Sequence, residues 1–273
     1  MKQIKIAVAG ASGKMGRRIL TLASQDAGLQ IAGALERADA PELGTDVGTL
    51  IGQKTLGVKV TADPEEALSL SQVLIDFTHP TAVDEHLKAA LRFKTGMVIG
   101  TTGLTEKTLM SIKKASRRIP ILQSPNMSTG VNFIFELVSQ AAALLDDRYD
   151  IEITETHHRM KKDAPSGTAL EIARLIAEAK GWDPKKSFTL GRQGETGERK
   201  KNTIGIHALR GGDVVGEHTA SFFANGEVIE ITHRATSRDA FAGGALIAAK
   251  FVAGKRSGLY NMRQILCAAS GNG

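Results

Sequence analysis

Ile4-Lys5-Ile6-Ala7-Val8-Ala9-Gly10-Ala11-Ser12-Gly13-Lys14-Met15-Gly16 is the stretch that decides the fold. The run Ile4 to Ala9 has the apolar density of a buried strand. After Gly13, residues Met15, Ile19, Leu22 and Ala23 fall on one face of a helix, with Gly28 as a natural stop. Gly10 suits the tight turn out of the strand, Gly13 a close approach of backbone N–H groups to a pyrophosphate at the helix N-terminus, and Gly16 close packing of helix on strand. The spacing Gly-x-x-Gly-x-x-Gly is a variant of the commoner Gly-x-Gly-x-x-Gly, and a glycine-rich turn taken alone is equally an ordinary turn. Glu36 decides between the two readings. It follows the second strand, Leu29 to Leu35, about 20 residues beyond the last glycine, where an acidic side chain accepts hydrogen bonds from an adenosine ribose. Arg37 comes next and suits the 2′-phosphate of NADP, so the site is expected to take NADH, NADPH or both. The predicted contacts of the loop itself are Gly10, Ala11, Ser12, Gly13, Lys14, Met15 and Gly16. No Gly-x-x-x-x-Gly-Lys-Ser/Thr occurs, which excludes a Walker loop.

Outward from this stretch, short apolar runs alternate with segments of helical period as far as Gln123, the pattern of a parallel sheet covered by helices. Strands are expected at Val58 to Val60, Val73 to Phe77, Met97 to Ile99 and Ile119 to Leu122, although Pro120 cannot donate to a ladder. Helices are expected to begin near Pro64, Pro80 and Thr105, with Asp63-Pro64 as a cap and first-turn proline. Near Ser128 the layout changes. A helix from Val131 to Leu145 leads to a strand, Tyr149 to Thr156, and a helix from Ser166 to about Lys180. Strands follow at Thr203 to Leu209, Val214 to Phe223 and Glu227 to His233, the last two joined by an Asn225-Gly226 hairpin turn. Gly191 to Lys201 reads as a mobile loop. The predicted fold class is therefore α/β, with an N-terminal Rossmann-type dinucleotide-binding domain followed by an α+β domain built on a mixed open sheet. The closing segment, Arg238 to Leu266, returns to helical period, and its Gly243-Gly244 pair suggests close packing on another backbone. From the residues alone it fits either domain.

Composition narrows the function. The chain has 273 residues, 42% of them hydrophobic, enough for one or two cores. Its formal charge of +6 suits small anions; the lysines and arginines are scattered and aromatics make up only 4%, so no stacking platform for nucleic acid is expected. The apolar stretches all fall short of the roughly 20 residues of a bilayer span, and the N-terminus opens on a strand pattern without the apolar core of a signal peptide. A cytoplasmic address without membrane contact is expected. The single cysteine, Cys267, excludes a disulfide framework and a thiolate metal cluster, and with no histidine beside it is a poor nucleophile.

The chemically densest stretch is Glu155-Thr156-His157-His158-Arg159-Met160-Lys161-Lys162-Asp163-Ala164-Pro165-Ser166-Gly167-Thr168-Ala169. Cationic and titratable side chains here precede a helix whose first turn offers free N–H groups, a positive dipole end and the small residues Ser166, Gly167 and Thr168. That layout suggests a clamp for a carboxylate, although a solvated basic loop with a Ser/Thr cap has the same composition. Histidine titrates near neutrality, and a lysine beside an anionic substrate can pin it and donate a proton, so His157 and Lys161 are candidates for acid chemistry. Adjacent histidines in extended chain point apart and no third ligand is suitably spaced, so no metal site is expected.

This histidine stretch, together with Gly-Ala-Ser-Gly-Lys-Met-Gly at the start, resembles the dihydrodipicolinate reductase (4-hydroxy-tetrahydrodipicolinate reductase) family of bacterial lysine biosynthesis. Asp76-Phe77-Thr78, Val98 to Gly103, Asn126, Gly130-Val131-Asn132, Gly216 to Thr219 and Ser257-Gly258-Leu259 look like family motifs as well, so the resemblance spans essentially the whole chain. It implies a dinucleotide-binding domain of residues 1–127 and 237–273 and a substrate and oligomerisation domain of residues 128–236. It places Gly100, Thr101, Thr102, Ser124, Pro125, Asn126 and Met127 on the nicotinamide side of the cofactor, with Glu36 and Arg37 on the ribose and its phosphate. It implies hydride transfer from nicotinamide C4 to 4-hydroxy-tetrahydrodipicolinate, in the diaminopimelate route to lysine, with proton chemistry at His157 and Lys161. His158, Lys161, Ser166, Gly167 and Thr168 would hold the two carboxylates of a small cyclic substrate, and the family is usually homotetrameric through the sheet of the second domain. Lys161 and Lys162 compete for the proton-donor role; the spacing from His157 that matches the family favours Lys161. Two other readings have less behind them. A thioester-forming semialdehyde dehydrogenase needs a cysteine that Cys267 does not supply, and a catalytically silent NAD(P)-binding regulatory protein has no need of the His157 to Thr168 cluster.

Overall fold

The structure, a computed structural model, describes residues 3–269. The chain runs β1 (Ile4–Ala9), α1 (Lys14–Ser24), β2 (Leu29–Leu35), α2 (Val47–Leu50), β3 (Val60–Thr61), α3 (Pro64–Leu68), β4 (Val73–Asp76), a 3-10 turn (Pro80–Ala82), α4 (Val83–Phe93), β5 (Gly96–Ile99), α5 (Glu106–Ala115) and β6 (Pro120–Gln123). It continues through α6 (Thr129–Leu144), β7 (Asp150–His157), α7 (Gly167–Lys180), α8 (Pro184–Ser187), β8 (Phe188–Leu190), β9 (Ile204–Arg210), β10 (Gly216–Ala224) and β11 (Glu227–Ala235), and closes with α9 (Asp239–Ala253), β12 (Gly258–Tyr260) and α10 (Met262–Ala269). Residues 3–129 with 238–269 form one compact unit and residues 130–237 another.

The first unit is a seven-stranded sheet in the order β12-β6-β5-β4-β1-β2-β3, with every pair parallel. Its strands are buried on both faces, which is why they read as near-continuous apolar runs. Ile6, Val8, Ile75 and Val98 pack with Ile19, Leu20 and Ala23 of α1 and Ala245, Ala249 and Val252 of α9. The alternate positions Ala7, Ala9, Leu74, Met97 and Ile99 pack with Leu68, Leu87, Ala90 and Ile112 of α3, α4 and α5. Helices thus cover both faces of a doubly wound sheet, the Rossmann-type arrangement. Each fully buried Leu, Ile or Val contributes on the order of 1.5–3 kcal/mol.

The second unit is a mixed sheet in the order β11-β10-β7-β9-β8. β11, β10 and β7 pair antiparallel, whereas β9 pairs parallel with both β7 and β8. Ile151 and Ile153 of β7, Ile204 and Ile206 of β9, and Ala220 and Phe222 of β10 form a core with Ile134 and Val138 of α6 and Ile172 and Ile176 of α7. By the period of two, Glu155 and His157 extend the same row as Ile151 and Ile153. Glu152 lies on the opposite face, where Arg192, Arg199 and His207 surround its carboxylate at 2.7–3.0 Å. Burial opposes its ionisation, yet those donors hold its pKa down to about 2.

Several expectations need adjusting. α1 ends at Ser24 with Gln25 as cap, before Gly28, whose N–H instead donates to Asp26 Oδ1 just ahead of β2. The strand expected at Val58 to Val60 is displaced to Val60–Thr61, because Val58 O and Lys59 engage Val47 and Asp46 instead. Pro120 is admitted at the first position of β6, where no donor is required of it. The helical period of Arg238 to Leu266 is interrupted by β12, and α2, α8 and β8 are too short to impose a period. Gly191 to Lys201 carries no regular element, as expected, but it is not free: Arg192 and Arg199 tie it to Glu152.

Gly244 lies where α9 meets the segment after β6: a Cβ there would stand 1.8 Å from Met127 O, whereas at Gly243 it would meet nothing within 4 Å among the described residues. Gly243→Ala should therefore stabilise the protein by about 0.5–1 kcal/mol through helix propensity, and Gly244→Ala should destabilise it by about 1–3 kcal/mol through overpacking. Urea unfolding of both variants tests this; equal midpoints would show that α9 does not pack on that backbone.

Candidate active site

The glycine stretch forms one edge of a cavity of about 560 Å³ in the first unit, lined in part by Gly10, Ser12, Gly13, Glu36, Arg37 and Phe77. Gly10 has φ +75°, a left-handed conformation that glycine adopts without strain, and a Cβ there would press on Phe77 O at 2.8 Å. At Gly16 a Cβ would lie 2.0 Å from Gly10 O, so only glycine lets α1 start this close to the turn. Gly13 is the N-cap of α1 and supplies no capping side chain, which leaves the first N–H groups of the helix open to an anion. The cavity lies beyond the carboxyl ends of β1, β2 and β4, the position of dinucleotides in doubly wound sheets. Backbone, cavity and charge all fit a nicotinamide dinucleotide.

Glu36 is held against the loop. Its Oε2 accepts hydrogen bonds from Ser12 N (2.9 Å) and Ser12 Oγ (2.7 Å), and its Oε1 from Arg37 N (3.0 Å). Burial works against the charge, but these donors keep the carboxyl below the usual range, so an anionic acceptor faces the cavity. The exposed Arg37 pairs with Asp39 at 3.1 Å. Ala11 is fully buried, Lys14 stands exposed in the first turn of α1, and Met15 beside it packs against the core. Arg17, which the sequence did not single out, donates to Ser12 O, Leu50 O and Glu42 and so braces the loop from behind.

The later loops of the first unit meet at a buried carboxylate. Asp76 Oδ1 accepts from Thr78 N (3.1 Å), Thr78 Oγ1 (2.7 Å) and Thr101 Oγ1 (3.0 Å), and Oδ2 faces His86 Nδ1 at 2.8 Å. The loop Gly100, Thr101 and Thr102 is thereby fixed to the loop after β4, and the Phe77 ring occupies the space a Cβ on Gly100 would need. In the next loop Ser124 Oγ donates to Asn126 O (2.7 Å), Ser128 N donates to Asn126 Oδ1 (2.8 Å), Pro125 stands exposed between them and Met127 is buried against α9.

In the second unit, the end of β7 and the start of α7 converge on Glu155. This carboxylate is fully buried. Arg210 donates to both oxygens at 2.8 Å, Ser166 N donates to Oε1 at 3.0 Å, and His157 Nδ1 donates to Oε2 at 2.5 Å. With Nδ1 so engaged, Nε2 is the nitrogen of His157 left to meet other groups, and Gly216 leaves room beside it: a Cβ there would stand 3.0 Å away. Burial lowers the His157 pKa; Glu155 raises it in part, and the charges of Lys161 and Arg210 lower it further. Lys161 N donates to His158 O, and Lys161 Nζ reaches Asp163 at 2.8–2.9 Å, which holds the Asp163 carboxyl below its ordinary range. Lys162 is exposed. Ser166 caps α7, its Oγ accepting from Ala169 N, so Gly167 and Thr168 form the first turn.

The structure brings together His157, Lys161, Ser166, Gly167 and Thr168 around the β7–α7 connection, with the half-buried His158 next in sequence. Three residues of this cluster carry no role in the sequence reading: Glu155, Arg210 and His218, whose Nε2 is 2.9 Å from Ser166 Oγ. Glu155 was detectable, because a carboxylate in the apolar row of β7 demands a partner. Arg210, 55 residues away, was not. Among the described residues no cluster suited to a metal occurs, and no helix is long and apolar enough to cross a membrane. The Cys267 side chain lies outside the described residues.

Comparison with known proteins agrees along the chain. Residues 4–127 match the family model described as dihydrodipicolinate reductase, N-terminus, and residues 130–266 the one described as dihydrodipicolinate reductase, C-terminus. The chain is 48% identical over 262 residues to the 4-hydroxy-tetrahydrodipicolinate reductase of Anaeromyxobacter dehalogenans (strain 2CP-C), covering 96% of this chain and 97% of that one. It is 47% identical over 263 residues to that of Syntrophotalea carbinolica, covering 96% and 98%. Among solved structures it resembles a dipicolinate-bound dihydrodipicolinate reductase from Paenisporosarcina sp. TG-14, with a TM-score of 0.77 and 26% identity over 96% of this chain and 99% of that one. With matching models for both halves and relatives this similar over nearly their full length, the chain belongs to the dihydrodipicolinate reductase family.

Proposed function

We propose that this protein reduces 4-hydroxy-tetrahydrodipicolinate to tetrahydrodipicolinate with NADH or NADPH, in the route to diaminopimelate and lysine. The observation that carries this reading is the buried Glu155, which engages Nδ1 of His157 and the start of α7 and so sets that ring beside the Lys161 charge and the first turn of the helix. Overall, water leaves the substrate and the conjugated ring gains one hydride and one proton. Bound NADH or NADPH supplies the hydride from nicotinamide C4. The chain's own residues do the rest.

In the first unit, the N–H groups after Gly13 hold the pyrophosphate, Glu36 accepts from the adenosine ribose and Arg37 serves the 2′-phosphate where there is one. Gly100, Thr101, Thr102 and Ser124 to Met127 line the nicotinamide side. In the second unit, Ser166, Gly167 and Thr168 offer hydrogen-bond donors to one carboxylate at the positive end of α7, and His158 and Lys161 neutralise the pair. A dianionic ring placed there favours protonated His157, offsetting the burial that lowers its pKa. Glu155 stabilises that imidazolium and fixes its orientation, and His157 with Lys161 delivers the proton. A purely regulatory NAD(P)-binding protein would leave this cluster without a task, and the relatives carry an enzyme's name.

The open face of the second unit's sheet supports self-association into a tetramer. Phe223 and Val228 pair directly across β10 and β11, and with Leu209 they stand exposed on strands that carry helices only on the other face. Sedimentation velocity should give a tetramer; a monomer at micromolar concentration would remove that role from the sheet.

The deciding assay follows nicotinamide oxidation at 340 nm with substrate generated in situ from pyruvate and aspartate semialdehyde by a condensing synthase, with NADH and NADPH in parallel. His157→Ala and Lys161→Ala should each lower kcat by roughly 10²-fold or more, as for loss of a general acid, while Lys162→Ala stays near normal. Cofactor binding without substrate-dependent turnover would instead support the regulatory reading.

A pH profile separates orientation from proton transfer. Glu155 raises the His157 pKa, so in Glu155→Gln that pKa falls and less imidazolium survives as pH rises. The basic limb of kcat/KM should therefore move to lower pH; a limb that stays in place would show that His157 is not the acid.

A further inference from the structure

His218, in β10, is only 4% exposed, and no step above uses it. Its ring meets that of His157 edge-on, with centroids 5.1 Å apart, and its Nε2 lies 2.9 Å from Ser166 Oγ. Its Nδ1 is buried with no hydrogen-bond partner among the described residues. Burial, followed by the nearby His157, pushes its pKa down to about 3, so the ring is neutral at physiological pH. A neutral imidazole carries one N–H, and its surroundings decide which nitrogen bears it. A proton on Nδ1 would strand a buried donor. On Nε2 it leaves only a lone pair unmatched, and buried N–H groups without partners are the rarer defect in folded proteins.

The proton therefore sits on Nε2, which donates to Ser166 Oγ. That oxygen also accepts from Ala169 N at 3.1 Å, as the cap of α7. A hydroxyl has two lone pairs and one proton. Both lone pairs are taken, and no acceptor for the remaining proton occurs among the described residues. From this geometry we infer that His218 is a positioning residue that makes Ser166 an obligatory hydrogen-bond donor to a substrate carboxylate at the N-terminus of α7. Without that ring the hydroxyl is free to rotate inward. The inference rests on the reading above that Ser166 meets the substrate.

Neutron diffraction from crystals of the perdeuterated full-length protein locates the proton without reference to substrate. Deuterium on Nε2 of His218 is the expected result; deuterium on Nδ1, or on both nitrogens, overturns the inference. Kinetics supply the second arm. His218→Gln keeps an N–H donor near the Nε2 position, and His218→Leu removes it. The leucine variant should raise KM for the dicarboxylate about tenfold, the scale of one hydrogen bond to a charged group, with KM for NADH and the thermal midpoint of the cofactor complex little changed. The glutamine variant should return KM close to wild type. Equal KM values for wild type, His218→Gln and His218→Leu overturn the positioning role even if Ser166→Ala is impaired. A normal KM for Ser166→Ala would mean that the substrate does not meet Ser166 at all, which removes the reading underneath. Should His218→Leu fail to fold, the neutron result and His218→Gln still decide: a tenfold loss in the glutamine variant counts against the inference.

Discussion

A buried carboxylate organises the second unit. Glu155 is fully enclosed, and an ion in that position is tolerated only where its hydrogen-bonding capacity is met. Arg210 meets both oxygens from β9, Ser166 N meets one from the start of α7, and His157 meets the other from two residues along the same strand. These contacts fix the end of β7, the end of β9 and the first turn of α7 relative to one another. They also settle which nitrogen of His157 faces outward and hold Ser166 as the cap from which the helix begins. Removing Arg210 would leave the charge uncompensated, at a cost of about 3–5 kcal/mol. The interaction that fixes these three elements is thus the one that orients His157 and Ser166.

In the first unit the equivalent constraint is steric. Gly16 and Gly244 sit where any side chain would collide with a carbonyl oxygen, of Gly10 and Met127 respectively. These close approaches bring α1 and α9 tightly onto the sheet and leave the turn after β1 exposed to a ligand. Asp76 repeats the device of the second unit on a smaller scale, a buried carboxylate drawing two loops together through Thr78, Thr101 and His86. Backbone proximity shapes the cavity at the glycine turn, and a buried side chain whose hydrogen bonds are met steadies its far edge.

Much of this was legible in the sequence, for physical reasons that differ from place to place. β1 and β2 could be bounded to the residue because their buried positions form apolar runs, broken only by Lys5 and Gln30 near their starts, and glycine or polar residues flank them. Asp63-Pro64, Thr105 and Ser166 marked helix starts because capping is local chemistry, and each does accept a backbone hydrogen bond. Asn225-Gly226 fixed the β10–β11 hairpin, with Gly226 at φ +91°. The short elements α2, β8 and β12 were hidden because a few residues define no period and tertiary pairing alone makes them. At the β7–α7 connection, the grouping of residues near one another in sequence was legible. Arg210 and His218 were not, because their partners lie 55 and 52 residues away and only the sheet register brings them there. The tie between the loop at Gly191 to Lys201 and Glu152 was invisible for the same reason.

On the proposed reading, the first turn of α7 and the Glu155–His157 pair receive the dicarboxylate. A crystal structure of the protein with NADH and pyridine-2,6-dicarboxylate tests it most directly. The expected complex has one carboxylate within hydrogen-bond distance of Ser166, Gly167 and Thr168, Lys161 turned from Asp163 toward the ligand, and His157 Nε2 facing the ring. A dicarboxylate bound away from α7, with the Glu155–His157 pair facing only solvent, would contradict it.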